Sequence, residues 1–208
     1  MQDLLDKLQY LKNSEIKSRV DTRLAEFSTY RNGKMDEIFG ELCFCITTAN
    51  CSAERCIEVQ EKMGDGFLTL SEMELVAKFK ELGYRFPNVR SKYIVEAREN
   101  ISHLQGFIKS GDNGNELREW IVKNIKGLGY KESSHFLRNI GFNNYAIIDF
   151  HIIDLLVSYN LIEKPKILTK SKYLEIEEIL KDIGNKLKLN LAELDLYLWY
   201  LETGKILK

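Results

Sequence analysis

Almost nothing in this sequence would end a helix from within. Only two prolines, Pro87 and Pro165, occur in 208 residues. Proline is the residue that removes an intrahelical hydrogen bond and clashes with the preceding turn. Apolar residues recur at intervals of three and four: Leu4, Leu5, Leu8 and Leu11, then Ile16, Val20, Leu24 and Phe27. That spacing lines one face of a helix. Asn13-Ser14 separates the two runs and suits a break followed by a cap. The same periodicity predicts helices near 35–48, 51–63, 71–82, 89–101, 115–125, 131–140, 149–158, 170–187 and 191–203. Gly64-Asp65-Gly66 reads as a turn, and Ser110-Gly111-Asp112-Asn113-Gly114-Asn115 as a polar loop. No convincing strand pair and no internal repeat is present, so an all-α fold is expected.

Composition narrows the function classes. A hydrophobic fraction of 44% with 29% charged residues is that of an ordinary globular protein rather than a disordered one. The formal net charge of -1 excludes a protein that grips nucleic acid mainly by bulk charge. Positive charge must then be local, and residues 85–151 carry ten Lys/Arg against seven acids. The chain shows no leader-like apolar run and no stretch near the roughly 20 apolar residues of a membrane span. A cytoplasmic, membrane-free monomer is the expectation. Cys43, Cys45, Cys51 and Cys56 fall within fourteen residues, at a spacing that matches neither a paired zinc motif nor a common iron–sulfur run. They read as small buried thiols on helices, with no metal and no cofactor implied.

The most informative stretch is Ile125-Lys126-Gly127-Leu128-Gly129-Tyr130-Lys131. Gly127 and Gly129 alternate with larger residues between two helical patterns. Glycines there permit a tight turn and a close backbone approach. The helix that follows has unpaired N–H groups and a positive dipole end, which together can hold a phosphate oxygen. The same glycines also suit a plain αα corner in a bundle.

Lys131 opens that helix, where the dipole disfavours a cation. A lysine in such a place, partly desolvated, is favoured as the neutral amine that can attack a sugar carbon and form a Schiff base. Asp149 follows eighteen residues later, at the start of the next predicted helix. A carboxylate there can stabilise positive charge developing on a sugar, or it can simply cap the helix.

Together these segments resemble the helix-hairpin-helix DNA glycosylase superfamily. The likeness runs through Lys126-Gly127-Leu128-Gly129-Tyr130-Lys131 and on to Gly141, and Asp149 with His151 matches the Asp-x-His element. It is closest to the type 2, archaeal and bacterial, branch of 8-oxoguanine DNA glycosylases. The resemblance implies two helical lobes with the active site in the cleft between them. One lobe is expected over 31–140, with the hairpin motif at about 118–140, and the other from 1–30 together with 141–208. The implied activity is excision of 8-oxoguanine from double-stranded DNA, followed by strand cleavage through β-elimination. Lys131 is the implied nucleophile, Asp149 the assisting carboxylate and His151 a phosphate contact. The clustered cysteines do not match the iron–sulfur cluster of the endonuclease III branch. Phe150 departs from the pattern, since relatives often carry a polar or basic residue there. A glycosylase for another oxidised or mismatched base, or a hairpin module that only binds DNA, are the competing readings.

Excision requires the nucleotide to leave the stack, and something must fill the gap. Thr47-Thr48-Ala49-Asn50, with Arg55 beyond it, is similar to the family segment whose asparagine does so, although Asn50 also suits a helix cap. Arg85-Phe86-Pro87-Asn88 offers an arginine and an aromatic ring for base contact, or a core phenylalanine. Trp199 can stack on a flipped base, or belong to the core. In the type 2 branch the C-terminal lysine is implied to use its carboxylate in base recognition. Lys208 is the matching residue, and an acceptor facing N7 would favour 8-oxoguanine, which carries hydrogen there.

Overall fold

A computed structural model describes residues 1–110 and 116–208. Most of the polar loop expected at 110–115 lies outside the described residues. The described residues form thirteen helices and no strand, which bears out the all-α expectation. They divide into two compact units, one of Met1–Thr29 with Leu137–Lys208 and one of Tyr30–Phe136. No helix among the described residues is long and apolar enough to cross a membrane.

The unit containing both chain ends holds α1 (Gln2–Lys12), α2 (Ile16–Tyr30, but for its last residue), α11 (Phe150–Ser158), α12 (Lys170–Leu187) and α13 (Leu191–Thr203). Leu4 and Leu8, Val20 and Phe27, Ile152 and Leu156, Ile176 and Leu180, and Leu194 and Leu198 form its core, all nearly inaccessible. A buried ion pair stands among them, Arg138 with Asp195, whose side chains are 5% and 9% exposed. Arg138 also lies over the Phe27 ring and donates to Asn139 Oδ1 at 3.0 Å. The apolar run 145–148 is an extended segment without a strand partner. Side chains of α12 satisfy its backbone instead, as buried amides demand. Ala146 N donates to Glu177 Oε2 at 2.9 Å, Tyr173 Oη donates to the Ala146 carbonyl at 2.7 Å, and Ile148 N donates to Tyr173 Oη at 3.3 Å. This clamp fixes the residue that follows, Asp149.

The central unit is built around α3 (Met35–Thr48), whose residues 41–48 are all buried. A helix apolar on every side belongs in the middle of a bundle. α4 (Ala53–Met63), α5 (Gly66–Thr69), α7 (Pro87–Arg98) and α8 (Ile101–Ser110) pack on it, and α6 (Glu72–Glu81) packs on α7. α9 (Glu116–Asn124) packs on α8, and α10 (Tyr130–Asn139) starts in this unit. Pro87 occupies the first turn of α7, where its missing N–H costs nothing.

Two elements differ from the sequence reading. The turn at 64–66 leads into a short helix, α5, after Gly64 closes α4 at φ +53°. α8 was not expected beyond residue 101. Only Leu104 and Ile108 of it are buried, although Ile101, Leu104, Phe107 and Ile108 stand at helical spacing. At the other end of α10, Gly141 takes φ +86°. Its N–H donates to the Arg138 carbonyl at 3.0 Å, and Phe142 N reaches back to Leu137 O at 2.9 Å. This is the left-handed stop that its position implies.

Candidate functional site

In the central unit the hairpin joins α9 to α10. Gly127 takes φ +88°, a conformation glycine adopts without steric cost. A Cβ placed there would meet Tyr93 Cδ2 at 2.6 Å and Arg90 Nη1 at 3.2 Å. Two demands therefore converge on Gly127: the turn and the close approach of α7. Gly129 has no left-handed φ and only ordinary room around it within the protein. Its role is to start α10. Its N–H donates to Glu132 Oε2 at 3.3 Å, and its carbonyl accepts from Ser133 N at 2.9 Å. Lys126 Nζ pairs with Glu96 Oε2 at 3.0 Å, tying the hairpin to α7 again.

α10 begins at Tyr130, so Lys131 is its second residue rather than its first. The backbone N–H groups of such a first turn have no intrahelical acceptor. Lys131 is half-buried. Behind it Arg118 is fully buried, lies 5.2 Å from the Tyr130 ring centroid and donates to Ser134 Oγ at 3.2 Å. Tyr130 in turn donates to Glu119.

The other candidates of this unit occupy two further turns. Asn50 follows the end of α3 at φ +63° and is exposed. Asparagine is among the few side chains that tolerate this region. The capping position and an exposed side chain thus coexist. Arg55 is in the first turn of α4, where its side chain pairs with Glu58. Exposed Arg85 lies over the Phe86 ring at 4.9 Å, and half-buried Phe86 caps α7. Between these turns sits Arg90, which sequence reasoning missed because arginine is usually exposed. It is 9% exposed and donates from Nη2 to the Ala49 carbonyl at 3.1 Å. Tyr84 Oη donates to the Thr47 carbonyl at 2.7 Å. Burial pushes the Tyr84 phenol well up, against the pull of the neighbouring Arg90 guanidinium.

In the terminal unit, Asp149 is the N-cap of α11, with Oδ1 accepting from Ile152 N at 3.0 Å. Within its own unit, Oδ2 takes no hydrogen bond. The His151 ring lies against exposed Phe150, with centroids 4.0 Å apart and planes tilted by 35°, and meets the Trp199 ring edge-on at 5.0 Å. Its Nδ1 is 3.9 Å from Glu202 Oε1. Trp199 is half-buried, yet its Nε1–H is buried without an acceptor. Lys208 is half-buried, just beyond buried Ile206.

The cysteines are free thiols, three buried and Cys51 half-buried. Burial raises the Cys43 thiol and pushes Cys56 up to about 12, so both stay protonated at neutral pH. Among the described residues, no group of three His, Cys, Asp or Glu side chains is placed to hold a metal.

Comparison with known proteins adds to this geometry. The family model described as 8-oxoguanine DNA glycosylase matches residues 20–189. An 8-oxoguanine DNA glycosylase/AP lyase of Korarchaeum cryptofilum is 53% identical over 207 residues, covering 99% of this chain and 98% of that one. The crystal structure of the Methanocaldococcus jannaschii 8-oxoguanine glycosylase/lyase, in complex with a 15mer DNA containing 8-oxoguanine, is 52% identical. It superimposes with a TM-score of 0.94, covering 99% of each chain. The 8-oxoguanine DNA glycosylase of Thermotoga maritima is 41% identical, with a TM-score of 0.92 over 100% of this chain and 99% of that one.

Proposed function

The chain belongs to the 8-oxoguanine DNA glycosylase family, and from that premise we propose that it excises 8-oxoguanine from duplex DNA and then cleaves the strand. The observation that carries this reading is the placement of Lys131. It is a half-buried lysine in the first turn of the helix after a glycine hairpin, in a chain whose family match spans both units.

The chemistry follows from the residues. The Lys131 amine attacks the sugar carbon that bears the damaged base. A carbon–nitrogen bond forms to lysine, and the glycosidic bond breaks with its electron pair leaving on the base. The Asp149 carboxylate stabilises the positive charge that the sugar gains as the base departs. The departing base takes the proton that lysine loses. The nitrogen lone pair then opens the sugar ring by breaking C1′–O4′, with O4′ taking a proton from water, and the Schiff base so formed makes the adjacent sugar proton acidic. Its removal expels the 3′ phosphate by β-elimination, and water then frees the lysine. Orphan N–H groups of the hairpin and α10 hold the DNA backbone without reading sequence, and His151 holds a second phosphate. Asn50 fills the vacated stack, with Arg55 and Arg85 beside the DNA. Phe86 and Trp199 flank the flipped base, and the carboxylate of Lys208 accepts the N7 hydrogen that guanine lacks. No metal or organic cofactor enters these steps. The protein works as a monomer in the cytoplasm, on nucleoid DNA.

The test is strand cleavage on a panel of duplexes. 8-Oxoguanine opposite cytosine is expected to be cleaved, and oxidised pyrimidines and adenine mismatches much more slowly. Equal or faster cleavage of another lesion would reassign the substrate, and binding without cleavage of any would reduce the protein to a DNA-binding module.

A further inference from the structure

Arg90 is a buried cation outside the chemistry just described, and its surroundings are unusual. Its Nη2 holds the Ala49 carbonyl at 3.1 Å, one residue before the left-handed Asn50. Its guanidinium lies 5.8 Å from the Phe86 ring centroid and 5.7 Å from that of Tyr93. Nη1 is 3.2 Å from the point where a Cβ on Gly127 would stand. Nε is buried and has no acceptor. One planar group therefore touches the α3–α4 turn, the ring that caps α7, and the hairpin. Each of those segments carries a residue proposed to meet DNA.

Burying a guanidinium with an unsatisfied Nε costs free energy that an apolar side chain in the same place would not. A planar fork is, however, suited to bond in its plane while its faces lie against rings. We infer that Arg90 is a positioning residue, fixing the Asn50 turn, Phe86 and the Gly127 hairpin in one register so that they engage a damaged duplex together. This rests on the functional reading above. Arg90 touches no DNA itself; it acts through Ala49, Phe86, Tyr93 and Gly127.

A double-mutant cycle in DNA binding tests it. The probe is a duplex carrying a stable abasic-site analogue opposite cytosine, which reports binding without turnover. Arg90→Lys keeps the charge but loses the fork. It is expected to melt within a few degrees of the parent and to bind the probe about tenfold more weakly. Asn50→Ala should weaken the parent by about tenfold but the Arg90→Lys protein by only about twofold or less, because its turn is already out of register. An arginine that merely fills the core would give losses that multiply. Multiplying losses, or parent-like binding by Arg90→Lys, would overturn the inference. Should Arg90→Lys fail to fold, Gly127→Ala crowds the same guanidinium from the hairpin side and enters the same cycle with Asn50→Ala. Absence of 8-oxoguanine excision by the parent would overturn the functional reading, and the binding cycle separates that failure from this one.

Discussion

Two glycines in the central unit should respond to alanine with opposite sign. Gly127 holds φ +88°, where an L side chain costs about 1–2 kcal/mol. The new methyl would stand 2.6 Å from Tyr93 Cδ2. Ring or hairpin must then shift by roughly 1 Å, which for overpacking costs about 1–3 kcal/mol. The sum is about 2–5 kcal/mol, and a chain of this size loses about 2–4 °C of melting temperature per kcal/mol. Gly127→Ala is therefore expected to melt roughly 4–20 °C below the parent. Gly106 lies exposed in α8 with nothing within 4 Å of a Cβ, so Gly106→Ala should gain about 0.5–1 kcal/mol from helix propensity alone. Thermal and urea unfolding by circular dichroism give both values. Affinity for undamaged duplex, measured at two salt concentrations, should fall for Gly127→Ala and stay at the parent value for Gly106→Ala. Equal melting temperatures for parent and Gly127→Ala, or a loss in Gly106→Ala, would refute the reasoning from φ and close approach.

Other perturbations separate structure from chemistry. Asp149→Asn keeps a good N-cap for Ile152 N, so unfolding midpoints should move by only a few tenths of a kcal/mol while base excision falls by orders of magnitude; an active variant would leave Asp149 as a cap alone. Asp195→Ala strands the buried Arg138 charge and should cost about 3–5 kcal/mol in urea unfolding, whereas a change below about 1 kcal/mol would mean the pair is hydrated. Residues appended after Lys208 should erode discrimination between 8-oxoguanine and guanine and leave cleavage of a preformed abasic site intact; unchanged selectivity would remove the Lys208 carboxylate from base recognition.

Legibility in the sequence followed the physics of each feature. Long helices such as 170–187 and 191–203 were read to the residue from their period, and the structure adds their caps: Thr169 and Asn190 accept from Lys172 N and Glu193 N. α8 escaped although Ile101, Leu104, Phe107 and Ile108 stand at helical spacing, because the run is short and carries Gly106 inside it. Gly127 was legible from its neighbours, while the part Gly129 plays at the start of α10 was not read. Its value lies in the Glu132 cap rather than in left-handed φ, and the side chain three residues on carried that signal. The clamp of Tyr173 and Glu177 on the 145–148 backbone was invisible, since a buried glutamate reads as a surface one until its amide partner is seen. Arg90 was missed for the same reason. Periodicity places side chains on faces, but it does not say which buried cation has three loops around it.

In the proposed reaction Lys131 becomes covalently attached to the sugar. Borohydride reduces a Schiff base to a stable amine, so a duplex with 8-oxoguanine opposite cytosine should give a protein–DNA adduct whose only modified peptide contains Lys131. Lys131→Gln should give none. An adduct of undiminished yield with Lys131→Gln, or efficient strand cleavage by the parent with no adduct at all, would contradict the account.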